Sequence, residues 1–227
     1  MKDLTVAKSN FLTEASYRIT LQEQRLIISC LNIIDGRSEV PKNVTISASQ
    51  YADNFGLTMK NAHRDLYNAA EKLYDRSIVV KDPEQTTEFR WIQKKIVKNQ
   101  GEGRVTMTFS DEILKYISQL KGHFTSYKIH CVSNLKSVYS MRLYELLIQF
   151  KTTGVRAIGV DQFKNLLGLE GMYSQFKFLK RDVINPAIKE LNAKSNLEIE
   201  LKTLTKGRKV ASLIFNFTLC DQLKMDV

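Results

Sequence analysis

Between positions 174 and 181 the chain reads Ser-Gln-Phe-Lys-Phe-Leu-Lys-Arg, and five of these side chains bear usable chemistry: Ser174, Lys177, Phe178, Lys180 and Arg181. Ammonium and guanidinium groups donate hydrogen bonds and accept none, so their partners are acceptor-rich or anionic. Lys177 and Arg181 are of the types that address guanine O6 and N7; Lys180, nearer the flank, suits a phosphate oxygen. Phe178 has two readings, contact with a thymine methyl or packing on a neighbouring element. A second set, Lys60, Asn61 and Arg64, stands at helical spacing but meets Glu71 and Asp75 further along, acids that repel phosphate. Two more basic clusters flank glycine-containing turns: Lys94, Lys95, Lys98 and Arg104, then Lys202, Lys206, Arg208 and Lys209. Both suit phosphate contact beside a groove. A charged helix face is often merely solvated, so the elements that present these groups decide between the readings.

Other chemistries find no support. No GxxxxGK[ST] phosphate loop occurs, and His63, His123 and His130 are scattered with no HxH pair and no HExxH. The three cysteines, Cys30, Cys131 and Cys220, are odd in number and far apart, which argues against a disulfide framework or zinc site and for a reducing compartment. The opening MKDLTVAKSNFLTEASYR lacks the apolar stretch of a signal peptide. The expectation is a cytoplasmic protein without metal, cofactor or enzymatic activity. Lys and Arg number 34 against 24 acids, a formal charge of +10, which favours polyanionic partners through counterion release.

The elements emerge when the sequence is laid against itself. Residues 46 to 57, ISASQYADNFGL, match residues 158 to 169, IGVDQFKNLLGL, at a shift of 112. Gln50 falls on Gln162, Tyr51 on Phe163, Gly56 on Gly168 and Leu57 on Leu169. Flanking patches agree in the same order, with some slippage. This period exceeds any solenoid repeat and suits two duplicated domains, taken as residues 1–132 and 133–227. The first has 19 basic and 15 acidic residues, the second 15 and nine.

Hydrophobic spacing predicts, in the first half, a helix over 21–34, a short strand over 44–46, and a helix to Asn54 capped by Ser47 or Ser49 and stopped by Gly56. A longer helix follows over 58–75, with strands over 78–81, 88–98 and 105–109, a turn at 99–103, and a helix from Ser110. Residues 121–136 read as a partly ordered join. The second half repeats the order: helix 137–151, strand 155–158, helix 161–167, a longer helix 172–193, and strands 197–204 and 210–219. Helix, strand, helix, turn, longer helix and hairpin is the order of a winged helix, so the expected fold is α+β with two tandem winged-helix domains.

On the longer helices, Phe176, Leu179, Val183, Ala187 and Leu191 form one apolar stripe and Met59, Ala62, Leu66, Ala70 and Leu73 the other. At 100° per residue, Ser174, Lys177, Phe178, Arg181 and Asn185 face away from the first stripe. Pro186 predicts a kink near 180–182; it either aims the helix or is only structural. The first half, poorer in cations, is expected to press mainly on DNA backbone.

Three stretches resemble a known family. Residues 8–31, KSNFLTEASYRITLQEQRLIISCL, residues 124–150, FTSYKIHCVSNLKSVYSMRLYELLIQF, and residues 173–192, YSQFKFLKRDVINPAIKELN, resemble the iteron-binding initiator proteins of small bacterial plasmids, the Rep-3 or RepE-like class. The resemblance implies binding of double-stranded DNA at origin repeats as a monomer and at an operator inverted repeat as a dimer that represses its own promoter. It also implies recruitment of the host replicative helicase and the host initiator, and a homodimer contact in the first domain. The partly apolar stretch from Phe89 to Val97 fits that contact; Trp91 reads equally as a core aromatic. The alternative function is a dedicated winged-helix transcriptional repressor.

Overall fold

The computed structural model describes residues 5–81, 84–98, 101 and 103–220. Two compact units divide the chain, residues 1–133 and 134–227.

The first unit is built around α2 (Leu21–Ile33), every residue of which from Glu23 to Asn32 is buried. Its start is fixed by a capping box: Thr20 Oγ1 accepts from the Glu23 amide at 3.3 Å, and Glu23 returns a carboxylate to the Thr20 amide at 2.6 Å. Strand β2 (Asn43–Ser47) leads into α3 (Ala48–Phe55), capped by Ser47 in a second box with Gln50. Gly56 ends α3 in the left-handed region at φ 60°, where a side chain would strain the backbone. After the turn, α4 (Met59–Tyr74) buries Ala62, Leu66, Ala69, Ala70 and Leu73. Met59 is 45% exposed and outside the stripe, because it opens the helix before its first full turn reaches α3.

The expected strand over 88–98 is two strands in two sheets. β3 (Ser77–Lys81) pairs with β4 (Thr86–Arg90), and β5 (Ile92–Val97) pairs with β6 (Arg104–Phe109) in a sheet ordered β2-β6-β5. The break falls at Trp91, which is 1% exposed. Its bulk is best buried by turning the chain inward, and a register shift between Ile92 and Lys94 follows. Trp91 is thus the core aromatic. The turn expected at 99–103 lies partly outside the described residues. The join expected over 121–136 is ordered for most of its length: β7 (Phe124–Lys128) pairs with β1 (Thr5–Ser9), beside α1 (Asn10–Thr13) and α5 (Asp111–Ile117), and α6 (His130–Ser133) closes the unit.

The second unit repeats the plan around α7 (Val138–Ile148), buried from Ser140 onward. Strand β8 (Val155–Gly159) and α8 (Val160–Leu166) stand 112 residues after β2 and α3, and Gly168 takes φ 64° as Gly56 takes 60°. The cap repeats too: Leu57 donates to the Ala52 carbonyl and Leu169 to that of Lys164, each closing a six-residue turn. The sheet is ordered β8-β10-β9, with β9 (Leu197–Lys206) and β10 (Lys209–Leu219) joined at Gly207. Strand β9 is an outer edge, with Glu198, Glu200, Lys202 and Lys206 exposed along it.

Between cap and hairpin runs the longer helix, in three parts: α9 (Phe176–Leu179), a π turn (Lys180–Ile184), and α10 (Asn185–Lys194). It begins four residues later than expected, so Ser174 lies in the loop before it and Phe176 is only half-buried at its first turn. Where the proline kink is expected, the helix makes a π turn. Pro186 has no amide to donate to the Asp182 carbonyl, and the Asn185 amide reaches back five residues to Lys180. The extra residue lets both Val183 and Ile184 face the core.

Candidate nucleic-acid interface

Leu179, Val183, Ile184, Ala187 and Leu191 anchor the longer helix of the second unit, all 2% exposed or less. The opposite side presents Lys177, Phe178, Lys180, Arg181 and Asn185, all exposed. The Phe178 ring stands between two cations: Lys177 Nζ is 4.9 Å from its centroid and Arg181 Cζ 5.0 Å. Such contacts orient the cations without burying them. Arg181 also pairs with its neighbour, Nε donating to Asp182 Oδ1 at 2.5 Å and Nη2 to Oδ2 at 3.0 Å. The guanidinium holds the Asp182 carboxyl below the ordinary carboxylate range, and the carboxylate raises Arg181 in turn.

Helix and wing converge within this unit. A cleft of about 670 Å³ is lined by Tyr173 to Gln175 from the loop, by Phe176 from the start of α9, by Asp161 and Lys164 from α8, and by Lys206, Arg208 and Lys209 from the hairpin tip. Ser174 thus joins the site from the loop rather than the helix. Lys164 and Tyr173 were missed in the sequence: Lys164 sits on the first helix of the pair, whose outward face the periodicity left unranked. Tyr173, at φ 53°, has no local mark of that backbone.

The first unit differs. Lys60 is exposed, Asn61 is half-buried, and Arg64 is exposed but paired with Asp65 at 3.0 Å. A smaller cleft of about 260 Å³ gathers Arg64, Asn68 and Lys72 beside Thr20 and Gln22. Lys94 and Lys98 are exposed on the hairpin. Lys95 is not a loose cation. It forms an ion pair with Glu71 and stands 5.1 Å from the Tyr74 ring centroid, because β5 packs along α4 and faces it with alternate residues. Asp75 is likewise met by Arg90 at 3.5 Å. The two acids expected to repel phosphate are therefore engaged across elements.

Among the described residues no group of three His, Cys, Asp or Glu side chains is placed to hold a metal ion. No helix among them is long and apolar enough to cross a membrane.

Comparison with known proteins agrees with this geometry. The model of the initiator replication protein WH1 region matches residues 5–148, and that of the initiator Rep protein WH2 region matches residues 159–217. The first match runs past the boundary at Ser133 into α7, which structurally belongs with α10: Glu190 of α10 accepts the Lys136 and Ser137 amides at 2.7 and 3.2 Å. A replication initiation protein of Escherichia coli is 32% identical over 236 residues, covering 99% of this chain and 73% of that protein. An uncharacterized 27.6 kDa protein of Escherichia coli is 26% identical, covering 94% and 95%. In solved structures, the fold is similar to the Pi initiator protein in its crystal structure with iteron DNA, with a TM-score of 0.84 and 23% identity over 98% of this chain and all of that one. With both winged-helix regions matched and both winged helices present, this chain belongs to the initiator replication protein family.

Proposed function

We propose that this protein binds repeated double-stranded DNA sites at a plasmid origin and initiates replication there, with the second unit as the main reader. One observation supports this above the others: the exposed Lys177, Phe178, Arg181 face opens beside a cleft whose wing side is formed by Lys206, Arg208 and Lys209. A helix in a major groove about 12 Å wide, with a basic hairpin on the flanking phosphates, uses both surfaces at once. The Pi initiator protein was crystallised with iteron DNA, and its fold is this fold. In the first unit, Lys60, Asn61, Arg64, Lys94 and Lys98 contact mainly backbone.

Dimerisation through the first unit, repression of its own promoter, and recruitment of the host helicase and initiator belong to the same proposal. The outer edge of β5 is the surface we assign to the dimer. The second reading, a repressor without an initiation role, uses the same site and differs only in where the DNA lies.

Titration of the protein onto duplexes drawn from a randomised pool tests the proposal. An enriched sequence, bound with affinity that falls steeply with salt, is expected. Binding that neither prefers a sequence nor responds to salt refutes it. Arg181→Ala should cost about 1–3 kcal/mol on the enriched duplex and relax preference at one base pair.

A further inference from the structure

We infer that Asp182 and Phe178 determine specificity by positioning Arg181: they hold its guanidinium as a base reader and turn it away from phosphate. This rests on the reading of the second unit as a duplex reader.

Arg181 has three usable faces, and two are occupied. The guanidinium carbon stands over the Phe178 ring, 5.0 Å from its centroid. The Asp182 carboxylate takes Nε and one Nη2 hydrogen along one edge. What remains is the end of the fork, Nη1 with the outer hydrogen of Nη2, directed along the plane of the group. The Arg181 side chain is 67% exposed, so the group is not folded into the domain. Two parallel donors at that spacing match O6 and N7 of guanine, both neutral acceptors. A phosphate is a different partner: it brings a full negative charge towards a cation whose neighbour is already a carboxylate, and the pair offers it little net attraction.

The surrounding residues support the distinction. From Gly171 to Arg181 there is no acid at all, and Asp182 is the first. Lys177 and Lys180 on the same face have no carboxylate partner among the described residues, and they remain suited to phosphate. Asp182 also lies inside the π turn, where more residues per turn bring consecutive side chains closer in angle.

The test uses the full chain and two duplexes of equal length, one enriched by the wild-type protein from a randomised pool and one shuffled. Asp182→Asn should raise affinity for the shuffled duplex, steepen the salt slope by up to about 0.9, as one added phosphate contact does, and lower the ratio between the duplexes about tenfold. Phe178→Leu, which keeps apolar bulk, should lower the ratio without changing the slope. In an Arg181→Ala background, Asp182→Asn should leave the ratio where Arg181→Ala put it. Lys180→Ala serves as the contrast, with a shallower slope and an unchanged ratio. Thermal midpoints within a few degrees of wild type show that the variants are folded. A ratio unchanged in Asp182→Asn, or one that falls equally with Arg181 absent, overturns the inference while leaving the DNA reading intact. Failure of the wild type to enrich any sequence overturns both.

Discussion

Trp91 sits where one extended stretch becomes two strands, with its ring edge-on to Tyr17 at a centroid distance of 5.1 Å. It is the sole tryptophan, so its fluorescence reports the integrity of the first unit. Trp91→Ala should cost about 3–5 kcal/mol in urea unfolding, through lost burial and the cavity left behind. In the second unit, Arg142 and Glu145 form an ion pair at 3.2 Å, with side chains 3% and 1% exposed, and Arg142 also donates to the Leu166 carbonyl at 3.1 Å. Glu145→Ala removes the carboxylate that balances a buried guanidinium and should cost about 3–5 kcal/mol; a double replacement by apolar residues of similar volume should recover most of that. At this scale residue types are legible in the sequence and their partners are hidden. Lys177, Arg181 and Lys206 were legible as outward cations from spacing alone. That Lys95 answers Glu71 and Arg181 answers Asp182 depends on packing and rotamers, which periodicity does not encode.

Among the elements, the first wing is tied to its helix by more than the Lys95–Glu71 pair. Tyr67 of α4 donates its hydroxyl to the Lys98 carbonyl at 2.7 Å, and His63 lies over Gly103, where an added Cβ would come within 2.1 Å of the imidazole. Gly103 is also at φ 60°. Tyr67→Phe should therefore cost about 1 kcal/mol in thermal unfolding. Gly103→Ala should cost about 1–3 kcal/mol from backbone strain, with His63→Ala relieving only the steric share. The helices, the cap at Ser47, those at Thr58 and Ser110, which accept from the Asn61 and Ile113 amides, and the paired glycine stops were readable because each depends on a few consecutive residues. The split at Trp91 was not, since β4 and β5 both look extended and only tertiary pairing assigns them to separate sheets. Nor was the π turn: Pro186 marks a disturbed helix, and only the core, which buries both Val183 and Ile184, selects the form it takes.

For the whole molecule, a charge of +10 is an expectation about salt. If about six phosphates are neutralised, doubling the salt should weaken binding roughly 40-fold, given a slope of about −0.9 per contact. Lys206→Ala should make that slope shallower by about one contact with the preference kept; an unchanged slope would remove the second wing from the footprint. The duplicated plan was legible at this scale because β2 to Gly56 and β8 to Gly168 keep one offset of 112. The β3–β4 pair that enlarges the first unit has no counterpart among the described residues of the second, and the internal match could not announce it.

The long outer strand β9 has a bearing on solubility. Alternate amides and carbonyls turned away from β10 would ordinarily template a neighbouring molecule, yet those of Ile199 are already met by the Asn192 side chain at 2.8 and 3.1 Å, and Glu198, Glu200 and Lys202 punctuate this rim at every second position, so a foreign strand docking there must desolvate charge as it forms hydrogen bonds. Replacing Glu198 and Glu200 together with valine should turn a well-behaved solution turbid on concentration, as light scattering would register. The ionic fringe keeps that border from fusing with another molecule and leaves the hairpin beyond it at liberty.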